Sequence, residues 1–299
     1  MNRVTAAFVS LRPRQWVKNL FVFAAVIFSQ NLFTPLVWPA VAAFVIFCGL
    51  SGAVYLINDV ADIEQDRLHP VKRSRPVASG TLPAPAAIAF GALLLGASLG
   101  AAFALSRPFG LVATGYGVLL LAYSFWLKYV VIVDVLTVAV GFVLRAVAGA
   151  EAVGVDISGW LIICTILIAL FLALGKRRHE YLSLKGAAVA HRPILAEYSE
   201  GFLDQMIAVV TASTTMAYAL YTMWPETVAK FHTRLLPLTL PFVLYGIFRY
   251  LYLLYRRDLG GNPSDLLLSD RALLVNTLLW MAALMAIIYG PALRLPWAR

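Results

Sequence analysis

The chain has 299 residues, of which 61% are hydrophobic and 13% are charged, and its mean hydropathy is +0.82. This composition excludes an ordinary soluble globular domain and predicts a polytopic membrane protein. The net charge of +9 does not indicate nucleic-acid binding. The basic residues are spread over the short loops that a positive-inside topology fills in any case.

Apolar runs of about 17 to 25 residues are long enough to cross a bilayer as helices. Nine such spans are predicted, near residues 20–36, 38–57, 84–104, 109–127, 131–150, 157–176, 205–224, 234–255 and 272–290. The weakest divisions are the turn at residues 34–39 and the short polar break at residues 128–130, so eight spans is the alternative. We predict an all-α bundle of transmembrane helices that forms a single domain over residues 1–299.

The distribution of lysine and arginine predicts the orientation of the chain. If the N-terminus lies in the cytoplasm, 17 of the 24 basic residues fall in inward segments and five fall in outward ones. Cytoplasmic loops carry such an excess. We therefore expect a multi-pass membrane protein with its N-terminus in the cytoplasm. Its polar segments at residues 58–75, 176–204 and 256–271 would face the cytoplasm.

The first polar set lies near the N-terminus, in the sequence LRPRQWVKN at residues 11–19. Anchoring at the membrane interface would explain Arg14 and Trp16. We interpret Arg12, Lys18 and Asn19 instead as contacts to phosphate. They would enter the membrane from the side that carries the acidic segment.

Residues 58–75, with the sequence NDVADIEQDRLHPVKRSR, form the most informative segment. Asp59, Asp62 and Asp66 stand at i, i+3 and i+7, so they point from one face if the stretch is helical. Seven residues of helix spread these carboxylates over about 10 Å, which suits one or two Mg²⁺ ions and the phosphates that they bridge. The bases that follow are candidates for binding phosphate oxygens: Lys72, Arg73 and Arg75.

Three further sets of polar residues occur along the rest of the chain. The first contains Tyr123, Lys128, Asp134 and Arg145, and buried charges of this kind are usually functional. An ion pair between Asp134 and Arg145 is not expected, because eleven residues of helix separate them by about 16 Å.

The sequence GKRRHE at residues 175–180 supplies Lys176, Arg177 and Glu180. Lys176 and Glu180 are at i and i+4, which is also the spacing of an ordinary helical salt bridge. The last set, DLGGNPSDLLLSDR, ends in Asp270 and Arg271. On sequence grounds Asp270 is a candidate helix N-cap as well as a site residue.

Asn58, Asp59, Asp62 and Asp66 reproduce the motif NDxxDxxxD, and with it the chain resembles the UbiA superfamily of intramembrane prenyltransferases over essentially its whole length. Aromatic prenyltransferases of that superfamily carry a second Asp-rich motif near the end of span six, where this chain has GKRRHE. That departure, together with LRPRQWVKN, HPVKRSRP and GNPSDLLLSDR, resembles the decaprenyl-phosphate phosphoribosyltransferase branch.

The resemblance implies a UbiA-like bundle in a bacterial inner membrane. It also implies transfer of 5-phosphoribose from 5-phosphoribosyl 1-diphosphate to a polyprenyl phosphate, with release of diphosphate, for cell-wall arabinan precursors. Asp59, Asp62 and Asp66 would be the catalytic residues and the Mg²⁺ ligands. The predicted substrate-binding residues are Arg12, Lys18, Asn19, Asn58, Lys72, Arg73, Arg75, Tyr123, Lys128, Asp134, Arg145, Lys176, Arg177, Glu180, Asp270 and Arg271.

Two alternatives remain open at this point. An ordinary UbiA-type enzyme would join a prenyl diphosphate to an aromatic acceptor, but the missing second Asp-rich motif argues against it. A transporter or flippase of phosphorylated lipid would line its pathway with intramembrane charges such as Asp134 and Arg145. The clustering of charge on one side of the membrane argues against that function. The oligomeric state does not follow from the sequence.

Overall fold

The computed structural model describes residues 2–68, 71–183, 193–257 and 259–290. All regular structure in these residues is helical, which confirms the all-α prediction. The α-helices are α1 (Arg3–Ser10), α2 (Ala24–Phe28), α3 (Val37–Ala61), α4 (Ile63–Leu68), α5 (Ala84–Leu105), α6 (Arg107–Phe125), α7 (Val133–Val153), α8 (Gly159–Ser183), α9 (Glu200–Met223), α10 (Pro225–Phe231), α11 (Leu240–Arg256), α12 (Pro263–Ser269) and α13 (Arg271–Tyr289). Short 3₁₀ helices stand between several of them.

Eight helical segments in the described residues are long and apolar enough to cross a membrane. They are α3, α5, α6, α7, α8, α9, α13 and the segment Leu236–Arg256, which contains α11. They correspond to eight of the nine predicted spans.

The predicted span at residues 20–36 is not one continuous α-helix. An 11-residue 3₁₀ helix, Pro13–Phe23, leads into the five residues of α2. At about 2.0 Å per residue for a 3₁₀ helix and 1.5 Å for an α-helix, the two together extend about 30 Å. That length equals the thickness of the hydrocarbon core. The ninth crossing and the cytoplasmic N-terminus stay predictions.

The chain divides into two compact units, the first with α1–α7 and the 3₁₀ helix Pro193–Glu197, the second with α8–α13. In the first unit α3 is central, because it packs against α5, α6, α7 and the 3₁₀ helix Pro13–Phe23. The hydrophobic core of this unit includes four fully buried side chains: Phe47, Leu50, Phe109 and Tyr116. The extent of the domain, residues 1–299, stays a prediction.

One face of α7 holds the 3₁₀ helix Pro13–Phe23 in place. Phe142 packs edge-on against Phe21 with ring centroids 5.1 Å apart. Seven residues further along the same face, a Cβ atom on Gly149 would overlap the main-chain carbonyl of Val22. Glycine therefore permits the two backbones to approach each other closely.

Polar side chains tie the helices of the second unit together. Arg178 in α8 donates to Asp204 of α9 at 2.6 Å, and its guanidinium stacks 4.1 Å from the ring centroid of Tyr255 in α11. Further along α9, the hydroxyl of Tyr218 lies 2.6 Å from that of Thr239 and accepts a hydrogen bond from Trp280 at 3.0 Å. These contacts join α8, α9, α11 and α13.

We expect Gly149→Ala to destabilise the protein by about 1–3 kcal/mol, the usual cost of overpacking, because the new methyl group meets backbone that cannot rotate away. The matched control is Gly115→Ala in α6, where an added Cβ has no atom within 4 Å. That change should be neutral or stabilising, since alanine is the better helix former. The measurement is the thermal unfolding midpoint in one detergent, and equal midpoints for the two variants would contradict the close packing.

Candidate active site

The three predicted carboxylates lie where α3 meets α4: Asp59 is in the last turn of α3, Asp62 is between the two helices and Asp66 is in α4. Two backbone hydrogen bonds continue the helical pattern across the break between these helices. Asp62 N donates to Asn58 O at 2.9 Å, and Asp66 N donates to Asp62 O at 2.8 Å. The predicted helix and its shared face are therefore present. The Asp59 and Asp66 side chains are only 2% and 3% exposed, and that of Asp62 is 19% exposed.

Each carboxylate is paired with a cation. Arg75 donates from one nitrogen, Nη1, to both Asp59 at 3.1 Å and Asp66 at 2.6 Å. Arg12 also donates to Asp59, and Lys128 Nζ lies 2.6 Å from Asp62. Three positive and three negative charges thus balance, as burial requires of ionised groups. These six side chains, Arg12, Asp59, Asp62, Asp66, Arg75 and Lys128, are called the ion cluster below.

The three cations come from three separate parts of the chain. Arg12 joins α1 to the following 3₁₀ helix with φ 54° and ψ 62°, and its guanidinium stacks 4.6 Å from the centroid of the Tyr55 ring. Arg75 follows the 3₁₀ turn Lys72–Ser74 in an extended conformation. Lys128 lies in the 3₁₀ turn between α6 and α7 and is 9% exposed.

Asn58 also belongs to this site. Its side-chain amide donates to Asp62 Oδ2 at 3.0 Å, while Lys128 binds the other oxygen of the same carboxylate. The Asn58 amide and the Lys128 ammonium therefore fix the orientation of the Asp62 carboxylate between them. The sequence prediction placed both residues at the site, and the structure brings them together there.

Asp59 and Asp66 have the chemistry and spacing to hold a divalent cation. The nitrogen of Arg75 that contacts both of them stands in for a cation between two carboxylates. Magnesium takes oxygen ligands at 2.0–2.1 Å, so the two carboxylate oxygens would have to approach by about 0.5 to 1 Å. In the described residues no three acidic, histidine or cysteine side chains already converge as metal ligands, because the carboxylates are turned to their basic partners. The three-aspartate metal site stays a prediction.

A second polar network lies deeper in the first unit. Arg145 in α7 donates to Asn19 at 2.9 Å, to the carbonyl of Gly141 at 2.9 Å and to the Tyr116 hydroxyl at 2.6 Å. All three guanidinium nitrogens thus have a protein acceptor. As the spacing predicted, Arg145 bonds to partners other than Asp134. In the part of the chain that the structure describes, no carboxylate lies within ion-pair distance of this buried arginine.

The network is anchored to α3 through Asn19, which donates to Cys48 Sγ and Ser51 Oγ, both at 3.3 Å. Ser51 precedes Asp59 by eight residues, or about 12 Å along the helix. Asn19 and Arg145 are 1% and 5% exposed. They brace the 3₁₀ helix Pro13–Phe23 against α3 and α7. Their assignment to substrate remains a prediction.

The other predicted residues of the first unit occupy varied positions. Lys18, Lys72 and Tyr123 are half-buried, and Arg73 is exposed. Asp134 is completely buried in the first turn of α7, where the positive end of the helix dipole favours a carboxylate. Their contacts to substrate stay predictions.

In the second unit, Glu180 is the partner of two bases on α8. Lys176 Nζ lies 3.7 Å from one of its oxygens and Arg177 Nη1 lies 2.5 Å from the other. The helical salt bridge predicted as the alternative for Lys176 and Glu180 is therefore present. Arg177 is almost completely buried, whereas Lys176 is 45% exposed at its side chain.

Asp270 is the N-cap of α13, since it accepts from Leu273 N at 2.8 Å. Arg249 in α11 also donates to both of its oxygens, at 3.2 and 2.8 Å. The sequence prediction missed Arg249, although a lone arginine within an apolar span is itself a signal for an intramembrane partner. Arg271 is exposed at the first position of α13, and substrate contact by Asp270 and Arg271 stays a prediction.

The family model described as the UbiA prenyltransferase family matches residues 19–269. The chain belongs to the UbiA prenyltransferase family. This match includes the carboxylates of the ion cluster together with Arg75 and Lys128. It confirms the family resemblance that the NDxxDxxxD motif indicated.

Two similar proteins align with nearly the whole chain. The decaprenyl-phosphate phosphoribosyltransferase of Corynebacterium glutamicum is 34% identical over an alignment of 293 positions, which covers 94% of this chain and 86% of that protein. The enzyme of the same name from Mycolicibacterium smegmatis is 30% identical over an alignment of 304 positions, gaps included, which covers 96% of this chain and 94% of that protein.

Among solved structures, a UbiA homolog from Archaeoglobus fulgidus bound to GPP and Mg²⁺ has the same fold. The TM-score is 0.72 at 20% sequence identity, with 95% of this chain and 99% of the other covered. This similarity confirms a UbiA-like helical fold for the chain.

We expect Arg145→Met to destabilise the protein by about 2–5 kcal/mol, because it leaves Asn19 and Tyr116 buried without their donor. Arg107→Met, at an exposed position at the start of α6, should change stability by less than about 0.5 kcal/mol. Thermal unfolding midpoints of both variants test the bracing role. If Arg145→Met kept the wild-type midpoint and lost only affinity for substrate, Arg145 would be a substrate contact instead.

The hydrogen bonds from Arg249 lower the pKa of the Asp270 carboxyl below its ordinary value. A carboxyl whose pKa is lower in the folded state stabilises the fold above its unfolded pKa of about 3.9, and this contribution is lost as the pH falls further. Wild-type protein should therefore unfold at a higher temperature than Asp270→Asn at pH 7. The difference should shrink below about pH 4. A difference independent of pH would contradict this assignment.

Proposed function

We propose that this chain transfers 5-phosphoribose from 5-phosphoribosyl 1-diphosphate to a polyprenyl phosphate of the decaprenyl type and releases diphosphate. The observation that carries the proposal is the ion cluster, in which three carboxylates and three cations meet at the end of α3. The names of relatives that are 30–34% identical over at least 94% of the chain support the choice of substrates.

The charges suit two anionic substrates. Carboxylates bind a divalent ion, and guanidinium and ammonium groups bind phosphate oxygens. At the position of a second Asp-rich motif, this chain has the bases Lys176 and Arg177 with the single acid Glu180. Fewer carboxylates reduce the repulsion of the additional phosphate groups that a phosphoribosyl donor and a lipid phosphate bring.

In this proposal Asp59, Asp62 and Asp66 hold Mg²⁺, which supplies positive charge to the departing diphosphate. The bond between ribose C1 and the diphosphate oxygen breaks, and its electron pair leaves with diphosphate. Arg12, Arg75 and Lys128 bind the phosphate oxygens and hold the donor in position. As C1 becomes oxocarbenium-like, an oxygen of the lipid phosphate forms the new bond to it.

A dedicated general base is unnecessary in this scheme. A phosphate monoester already carries a charge of about −1.5 to −2 at pH 7, so the attacking oxygen needs no activation. Catalysis would then depend on positioning and on charge neutralisation. No single side chain of the ion cluster has to remove a proton.

The placement of the site is part of the proposal. The ion cluster would lie at the cytoplasmic face of a bacterial inner membrane, where a water-soluble donor can reach it. The polyprenyl tail would remain among the apolar helices. The product would feed the synthesis of the arabinose donor for cell-wall polysaccharide.

The second candidate is transfer of a prenyl group to an aromatic acceptor. The structural similarity to a UbiA homolog bound to GPP and Mg²⁺ favours it. The sequence GKRRHE at residues 175–180 argues against it, because it supplies three lysine or arginine residues and a single carboxylate, Glu180, rather than a second carboxylate set.

Incubation with radiolabelled 5-phosphoribosyl 1-diphosphate, a polyprenyl phosphate and Mg²⁺ should place label in the lipid phase, and EDTA should abolish it. We expect Asp59→Asn and Asp62→Asn to reduce the rate by about 10²–10³, the usual effect of removing one electrostatic stabiliser. The matched control is Glu64→Gln, whose carboxylate lies in the same segment and is 79% exposed at its side chain. It should retain wild-type activity.

Two results would contradict the proposal. One is EDTA-resistant labelling with full activity in Asp59→Asn protein that keeps its unfolding midpoint. The other is absence of labelling combined with turnover of a prenyl diphosphate and an aromatic acceptor, which would identify the second candidate as the function.

A further inference from the structure

The carboxylates of the ion cluster are shielded by their own cations. The side chains of Asp59 and Asp66 are 2% and 3% exposed, whereas those of Arg12 and Arg75 are 26% and 25% exposed. Lys128, at 11%, binds the more accessible Asp62. The two arginines thus lie on the solvent side of Asp59 and Asp66. An ion that arrives from water meets a positive surface before it meets a carboxylate.

A bare divalent cation therefore binds this arrangement poorly. To reach Asp59 and Asp66 it must displace the Arg75 nitrogen that contacts both, and the released guanidinium then lies beside a doubly charged ion. Like charges at such a distance repel, all the more in a partly buried site. An anion that accepts the displaced guanidinium removes this repulsion, and a diphosphate offers several oxygens in the required geometry.

We infer that the site binds metal and diphosphate together through an exchange of ion-pair partners. When the metal ion binds the carboxylates, Arg12, Arg75 and Lys128 release them and bind the diphosphate oxygens instead. Arg75 is the principal positioning residue in this exchange, since it bridges two acids with one nitrogen. The inference rests on the proposed function, in that it assumes a diphosphate and a divalent ion at the ion cluster. By thermodynamic linkage, each ligand then increases the affinity for the other by the same factor.

The exchange predicts that loss of Arg75 changes two affinities in opposite directions. Arg75→Gln frees Asp59 and Asp66 from their shared counter-ion, so bare metal should bind more tightly. The same substitution removes a ligand of the diphosphate, so diphosphate should bind more weakly in the presence of metal. A residue that only stabilised the fold would weaken both affinities or neither.

The test measures both affinities on purified full-length protein in detergent. Equilibrium dialysis gives the binding of Mn²⁺ alone, with the Mn²⁺ retained by Asp59→Asn taken as background. Binding of ³²P-labelled inorganic diphosphate is measured separately at saturating Mn²⁺ and in EDTA. For Arg75→Gln we expect Mn²⁺ affinity to rise and diphosphate affinity to fall, each by about 5- to 150-fold, the usual range of coupling between ligands.

The matched control is Arg67→Gln. Arg67 also pairs with a carboxylate, Glu64 at 3.0 Å, but both side chains are about half or more exposed, and this substitution should leave both affinities unchanged. Arg12→Gln provides a second variant of the ion cluster if Arg75→Gln does not fold, and it should shift the affinities in the same opposite directions. Unfolding midpoints establish that each variant is folded.

An unchanged or lower Mn²⁺ affinity in the folded variants, or wild-type affinity for Mn²⁺ that is the same with and without diphosphate, would overturn the inference. Failure of the proposed function gives a different result. In that case labelled ribose does not reach the lipid, while the opposite shifts for metal and diphosphate are still observed.

Discussion

Mutual repulsion among three carboxylates within two turns of helix is the constraint that organises the first unit. Two of these groups are almost completely buried, so each needs a cation within ion-pair distance. The chain supplies these cations from residues that are 47, 16 and 66 positions away in sequence. Three segments must therefore all contact the end of α3: the N-terminal segment, the loop after α4 and the turn between α6 and α7.

The N-terminal segment can deliver Arg12 only if the 3₁₀ helix behind it is held in place. One face of α7 does this with three different interactions: an aromatic contact from Phe142, a hydrogen bond from Arg145 to Asn19 and the backbone approach at Gly149. A buried arginine bonded only to neutral groups is a costly way to brace a helix. Its partner Asn19 is bonded to Ser51, which lies about 12 Å from Asp59 along α3.

The sequence predicted the helices and the shared face of the three aspartates, because both follow from local periodicity. Eight spans were found where predicted. The segment before α3 differs from its prediction, because it contains an 11-residue 3₁₀ helix, and an apolar run alone does not distinguish a 3₁₀ helix (about 2.0 Å rise per residue) from an α-helix (about 1.5 Å). The pairing within the ion cluster was beyond local reasoning. Which base meets which acid depends on tertiary contacts, as does the bond between Asn19 and Arg145 across 126 residues. Asp270 was predicted as a possible N-cap, but its partner Arg249 was not.

Two of the loops that deliver cations to the ion cluster contain a non-glycine residue with positive φ: Arg12 itself at 54°, and Ile132 at 67°, four residues after Lys128. Such a conformation costs an ordinary residue about 1–2 kcal/mol, and a β-branched side chain is especially unsuited to it. Glycine would remove this conformational strain at either position, because it has no Cβ atom. At position 132 it would remove no charge, whereas at position 12 it would also remove a partner of Asp59. A thermostabilised variant for structural work can therefore replace Ile132, whereas replacing Arg12 would also unbalance the charges of the ion cluster.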